Sequence, residues 1–396
     1  TVFVGAYMML GDLAEARSRA EASREQIVQL VREFPSRTDF ERSLSLSHSS
    51  AGVVLQAQGD LDGALASFRA AFAIGNKLAA LEPRSTRWQQ DLSASHRNIG
   101  AVLRAQGERA GALASYRAAL AISEKLAALE PHNTEWRGNL SLSHGNICDL
   151  LLTQGDLAGA LASCRAALAV NEALAAADPH NTQRQRGLSV SHQRVGEVLI
   201  AQSDHAAALA SYRAALTIAE KLAALDPQNA LWQSDLSLSH GKVGDGLWLQ
   251  GDRAGALASY RAMQAIAERL AARDPHNTQW QRDLAISHSK IGDVLRIQGN
   301  LDGAMESHRA ALASAEKLAA LDPRNTGWQH DLFMATLSVG LVAEARKDGP
   351  AARAAYARAK AIIEELAARD PANERWRRDR AWVEARLAAL DAAAGK

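Results

Sequence analysis

Apolar residues recur along the chain at helical spacing, in blocks roughly twenty residues long separated by short polar turns. In one block Trp88, Leu92, His96, Ile99 and Leu103 fall on a single stripe of a helix. The next block, GALASYRAALAISEKLAAL at 111–129, reads as a second helix. Gln-Gly-Asp at 58–60, 154–156 and 250–252 places a glycine where the first helix should stop. Glu-Pro or Asp-Pro ends the second, because proline breaks the hydrogen-bond ladder and the residue before it disfavours the α region. Thr86 with Gln89, Thr278 with Gln281 and Thr326 with Gln329 read as capping boxes that start the first helix. No stretch alternates as a strand would, so the pattern predicts an all-α chain.

The two-helix block repeats. Tryptophan stands at 88, 136, 232, 280, 328 and 376, with Phe40 and Arg184 filling the gaps. Pro35, Pro83, Pro131, Pro179, Pro227, Pro275, Pro323 and Pro371 keep the same 48-residue step. The expected organisation is one array. A truncated first repeat (1–37) is followed by seven full repeats at 38–85, 86–133, 134–181, 182–229, 230–277, 278–325 and 326–373. A C-terminal capping helix (374–396) closes it. Residues 1–10 read as the tail of a helix whose start lies upstream, and the lack of an initial methionine points to a fragment. Each pair can bury its apolar face only against its neighbours, which makes a charged terminal helix such as ERWRRDRAWVEARLAAL at 374–390 useful.

The second half of each block resembles the tetratricopeptide repeat. The residues that carry the resemblance are Gly100, Gly107, Ala112-Leu113, Tyr116 and Ala119-Leu120. Equivalent sets recur at Gly52, Gly59, Ala64 and Phe68; at Gly244, Gly251, Ala256 and Tyr260; and at Gly292, Gly299, Ala304 and His308. The block is 14 residues longer than the family's usual unit, and histidine stands where the family often has tryptophan. The resemblance implies a right-handed α-solenoid of tandem antiparallel helix pairs, a superhelix whose first helices line a concave, peptide-binding groove. It places the groove at Val53, Ala101, Asp149, Glu197, Asp245, Asp293 and Leu341, five residues after each motif position. A second row holds Gln56, Arg104, Leu152, Ile200, Trp248, Arg296 and Glu344. Asp149, Glu197, Asp245 and Asp293 make an acidic ladder that suits a basic and apolar segment, with Arg194, Lys242 and Lys290 placed to neutralise part of it. Trp248 has no counterpart in other repeats and is a candidate anchor.

Ser-His recurs at 47–48, 95–96, 143–144, 191–192, 239–240 and 287–288. Adjacent helical residues point about 100° apart, and no orienting third group accompanies them. The row therefore reads as packing, with half-buried rings whose nitrogens bond a nearby carbonyl or serine. Copies on successive layers do not converge as metal ligands must, and no cofactor motif occurs. Cys148 replaces the register glycine and Cys164 the register tyrosine of one repeat, so they are expected close together as buried, inert thiols. So few cysteines fit a reducing compartment. With 45 Lys+Arg against 44 Asp+Glu there is no basic field for nucleic acid, and no segment long enough to insert in a membrane. The expectation is a cytoplasmic, non-enzymatic interaction scaffold for a protein or peptide. The alternative is a sensor, regulatory or oligomerisation arm of a larger signalling protein, with an effector domain upstream.

Overall fold

The computed structural model describes residues 7–8 and 13–394; of the expected helical tail at 1–10, only Tyr7 and Met8 fall among these residues, and both are helical. Residues 13–394 form sixteen helices, and no strand occurs among the described residues. By internal contacts the chain divides into two compact units, Thr1–Asp204 and His205–Lys396. Unit 1 holds α1 (Leu13–Glu33), α2 (Thr38–Ala57), α3 (Leu61–Leu81), α4 (Thr86–Ala105), α5 (Arg109–Leu129), α6 (Thr134–Gln154), α7 (Leu157–Ala177) and α8 (Thr182–Ala201). Unit 2 holds α9 (His205–Leu225), α10 (Ala230–Leu249), α11 (Arg253–Arg273), α12 (Thr278–Ile297), α13 (Leu301–Leu321), α14 (Thr326–Ala345), α15 (Gly349–Arg369) and α16 (Glu374–Ala394). Within each unit a first helix (A) packs on its own second helix (B), and B packs on the next A.

Local chemistry sets these limits. Gly59, Gly107, Gly155, Gly251 and Gly299 follow the A helices at φ of 80–85°, where a Cβ is disfavoured. Ser203 and Lys347 occupy the same turn at φ 63° without that freedom. The aspartate after the turn caps helix B: Asp60, Asp156 and Asp252 accept from the backbone N–H of Gly63, Gly159 and Gly255. Every B helix of the full repeats ends before its Glu-Pro or Asp-Pro.

The start of helix A differs from expectation. The cap is the residue before the first helical position, which is threonine or, at 230, alanine: Asn133, Asn181, Asn229, Asn277 and Asn325 accept from the backbone two or three residues on. Asn caps better than Thr, whose own place here is the first helical position. Gln281 and Gln329 reach instead to the Ala271 and Ala319 carbonyls of the preceding helix B, at 3.4 and 3.2 Å.

The core of each pair is a small-residue contact. Ala64, Ala112, Ala160, Ala208, Ala256, Ala304 and Ala352 are fully buried on the B helices. A register glycine on A faces a ring on B so closely that a Cβ on Gly100 would stand 2.6 Å from Tyr116 Cε1, and on Gly340 2.5 Å from Tyr356. Phe68, Tyr260 and His308 fill the same place against Gly52, Gly244 and Gly292. In the pair α6/α7 this couple is Cys148 and Cys164, both buried and joined by a disulfide. The reading of two inert thiols is thereby replaced: glycine and aromatic ring approach closely in this fold, and cysteines at those positions come within bonding reach.

Successive pairs are latched by side chains. Gln58, Gln202 and Gln250, just past an A helix, donate to the carbonyls of Leu13, Leu157 and His205, and Arg346 does the same to Leu301. Each partner lies 45 residues back. Among the described residues one helix, α7, is long and apolar enough to cross a membrane; here it packs between α6 and α8. At the C-terminus α16 lays buried Val383 on the stack and sets Trp382 edge-on to Tyr356, ring centroids 6.1 Å apart.

Candidate interaction surface

The motif Asp-Leu-Ser-Leu-Ser-His divides its work residue by residue. The first serine crosses to helix B: Ser45, Ser93, Ser141 and Ser237 donate to the carbonyls of Ala71, Ala119, Ala167 and Met263 at 3.0–3.2 Å. The second donates within its own helix, as Ser95 to Asp91, Ser143 to Asn139, Ser239 to Asp235 and Ser287 to Leu284. The hydroxyls beside four of the motif histidines are therefore spent on backbone, whereas Ser47 Oγ is buried without a partner and Ser191 Oγ accepts from Asn171 Nδ2 at 2.7 Å. Burial pushes the histidines His48, His96, His144, His192, His240 and His288 below the ordinary imidazole value. His96 lies edge-on to Phe72 and His288 Nδ1 meets Gln264, whereas His48 Nδ1 is buried without a partner. The expected carbonyl or serine partner is thus not a general feature of the row.

The residue between the two serines is the one the sequence reading passed over. Leu46, Leu142, Leu238 and Met334 are 39–47% exposed, a large apolar side chain on the A-helix face at every second repeat. The signal was present, because each stands off the buried stripe of its helix, two residues before the histidine or its Thr336 equivalent.

In unit 1 the predicted groove residues Asp149 and Leu152 lie half-buried on α6, and Glu197 and Ile200 on α8. Arg194 grips Asp149 with both forks, Nε at 3.1 Å and Nη2 at 3.2 Å. Burial holds the Asp149 carboxyl above its ordinary value against that guanidinium.

In unit 2 Asp245 accepts from Tyr260 Oη at 2.7 Å and from Lys290 Nζ at 2.6 Å. Burial and the neighbouring carboxylate raise the Tyr260 hydroxyl. Trp248 is half-buried, with the Arg253 guanidinium 3.8 Å from its ring centroid and also donating to the Trp248 carbonyl.

Asp293 is differently placed. Its position one repeat on from Asp245 should find a cation at 338, and Ser338 stands there. Its nearest basic groups are Arg296 at 4.0 Å and His308 Nε2 at 3.7 Å, beyond hydrogen-bond reach. Desolvation raises the Asp293 carboxyl. His308, fully buried with both nitrogens unpartnered, is pushed down to about 4 by burial and Arg296. Asp293 borders a cavity of ≈ 250 Å³ between α12, α13 and α14, floored by Ile286, Leu318 and Met334 and flanked by the Arg282–Asp331 pair.

Residues 94–129 match a family model described as tetratricopeptide repeat. Among solved structures the chain is similar to the apo form of RapI, with a TM-score of 0.56 and 12% identity over 98% of this chain and 96% of that one. It is also similar to BtubC (BKLC) from P. vanneervenii, with a TM-score of 0.51 and 18% identity over 64% of this chain and 90% of that one. No curated protein matches. At these identities the likeness is one of fold.

Proposed function

Taking as premise that the chain is a tetratricopeptide-repeat protein, we propose that it is a non-enzymatic scaffold. Its concave groove, lined by the A helices, holds a segment of a partner protein or peptide. On unit 1 the groove face comprises Asp149, Leu152, Glu197 and Ile200 with the exposed Leu46 and Leu142, and on unit 2 it comprises Asp245, Trp248, Asp293 and Arg296 with the exposed Leu238 and Met334. The repeat boundaries at 38, 86, 134, 182, 230, 278, 326 and 374 belong to the same reading, supported by a helix start at each of them.

The carrying observation is Asp293 beside its apolar cavity. Asp149 and Asp245 have cations from the next A helix, and Asp293 has none within 3.5 Å. A lysine or arginine of the partner would supply the missing charge while its stem covers Met334 and Ile286. The disulfide argues against the cytoplasmic location expected from the sequence, because cytosolic thiols are kept reduced.

The test compares capture of partners from a native lysate by the full chain and by an Asp293→Lys, Met334→Ala variant. These substitutions break no hydrogen bond described above, and matching melts establish that the variant folds. A protein held by the first and lost by the second supports the groove. Equal capture by both refutes this placement, and no capture by either turns attention to an effector domain fused to the array.

A further inference from the structure

In an array this uniform, residues that break register and gather in one place mark a built feature. In unit 1 they gather between α6, α7 and α8. At positions 49 residues apart, three interfaces between neighbouring A helices carry a polar pair, Arg42 with Asp91 at 2.6 Å, Arg282 with Asp331 at 2.6 Å and His330 with Asp379 at 3.2 Å, and two others hold polar side chains, Gln90 with Asn139 and Ser234 with Asp283. The same two positions on α6 and α8 hold Gly138 and Gly187. Both lie inside helices, where glycine is among the poorest formers. Packing demands neither. A Cβ on Gly138 would meet nothing within 4 Å, and one on Gly187 only the Asn171 amide at 3.7–3.8 Å.

Two further departures face the same space. Arg184 replaces the register tryptophan, and Asn171 stands where other B helices carry Gly75, Ser123, Ala267 or Ala315. The result is a cavity of ≈ 570 Å³, within the ~300–1,000 Å³ of small-molecule sites. Its counterpart three repeats on, which keeps the Arg282–Asp331 pair, measures ≈ 250 Å³. Leu142, Leu174 and Val190 give the larger cavity an apolar wall, and Arg184, Arg186 and Arg194 line it with guanidiniums. Glu135 is its one lining carboxylate. Arg194 is gripped by Asp149, whereas the Arg184 ion pair with Asp178 is a long one at 3.6 Å. An oxyanion can therefore take donors from Arg184 without displacing a short bond.

We propose that this cavity binds a small organic anion, a carboxylate or phosphate carried on an apolar or aromatic body. The inference does not rest on the partner-segment reading, whose carrying observation, Asp293 and its cavity, lies in unit 2, although Leu142 belongs to both surfaces.

The experiment is calorimetric titration of the full chain with phenyl phosphate and phenylacetate, with phenethylamine and benzyl alcohol as cationic and neutral controls. The matched variant is Gly138→Arg with Gly187→Asp, which rebuilds the register ion pair and fills the cavity with residues the fold accepts elsewhere. Saturable binding of at least one anion, absent for both controls and weakened about tenfold or more in the variant, supports the site. Phenyl phosphate alone assigns a phosphate ligand and phenylacetate alone a carboxylate. If the double variant does not fold, Gly138→Leu fills the same space. The proposal fails if neither anion binds, if the controls bind equally well, or if filling the cavity leaves affinity unchanged.

Discussion

Glycine-to-alanine substitutions at two A-helix positions should move stability in opposite directions. At Gly244 the new methyl would stand 2.4 Å from Tyr260 Cε1 and 2.6 Å from Cδ1. The ring is 3% exposed and tethered by its hydroxyl to Asp245, so it has little room to retreat. Overpacking costs about 1–3 kcal/mol and weakening a hydrogen bond to a charged group about 1.5–3 kcal/mol, while the better helix former returns about 1 kcal/mol. The net loss is about 1.5–5 kcal/mol. At Gly138 the methyl enters open space and only the propensity remains, a gain of about 1 kcal/mol. For units of this size each kcal/mol moves the melting temperature by about 2–4 °C. Gly244→Ala should therefore melt roughly 3–20 °C lower and Gly138→Ala about 2–4 °C higher, followed by far-UV circular dichroism. Tyr260→Ala should suppress most of the Gly244→Ala effect in a double-mutant cycle. Equal signs at the two sites, or additivity in the cycle, would refute the glycine–ring account.

Other outcomes follow from the same geometry. Purified under non-reducing conditions and then denatured, the chain should titrate no free thiol; reduction should destabilise unit 1 by about 3 kcal/mol, the value for a closed loop of this length. Asn277→Ala should cost about 1 kcal/mol because it removes the acceptor for Trp280 N–H, whereas Thr278→Ala should be near neutral. His308 is held to about 4 in the fold and titrates near 6.5 when unfolded, so the unfolded chain binds more protons between those values. Stability should therefore fall as pH drops from about 6.5 towards 4, by about 3 kcal/mol in all, and His308→Tyr should flatten that slope in pH-dependent denaturant melts.

The helix pairs, their turns and their 48-residue step were legible because periodicity, glycine at positive φ and proline all act locally. The cap was misassigned for a local reason too: Asn and Thr are both good caps, and the choice between Asn277 and Thr278 depends on where the first helical hydrogen bond closes. The site was legible only as a column of positions. Spacing places Asp149, Asp245 and Asp293 on equivalent faces, but it does not say which carboxylate a neighbouring repeat neutralises. Arg194 and Lys290 do so, and Ser338 does not. The Gly138–Gly187 cavity was invisible for a related reason. Each glycine alone looks like an ordinary weak spot in a helix, and their meaning lies in facing each other across the interface between repeats.

The side-chain latch across 45 residues carries a consequence for assembly. Because its donor and acceptor chemistry is nearly the same at four of the steps, removing one 48-residue unit would bring together two surfaces of closely similar chemistry. Chains of different repeat number should therefore fold equally well, and a nascent chain meets several equivalent docking partners of its own making. Correct order within each unit then comes from connectivity, because turns of two to four residues hold each helix beside its sequence neighbour. The disulfide, the glycine cavity and His308 are landmarks by which one position can be told from another.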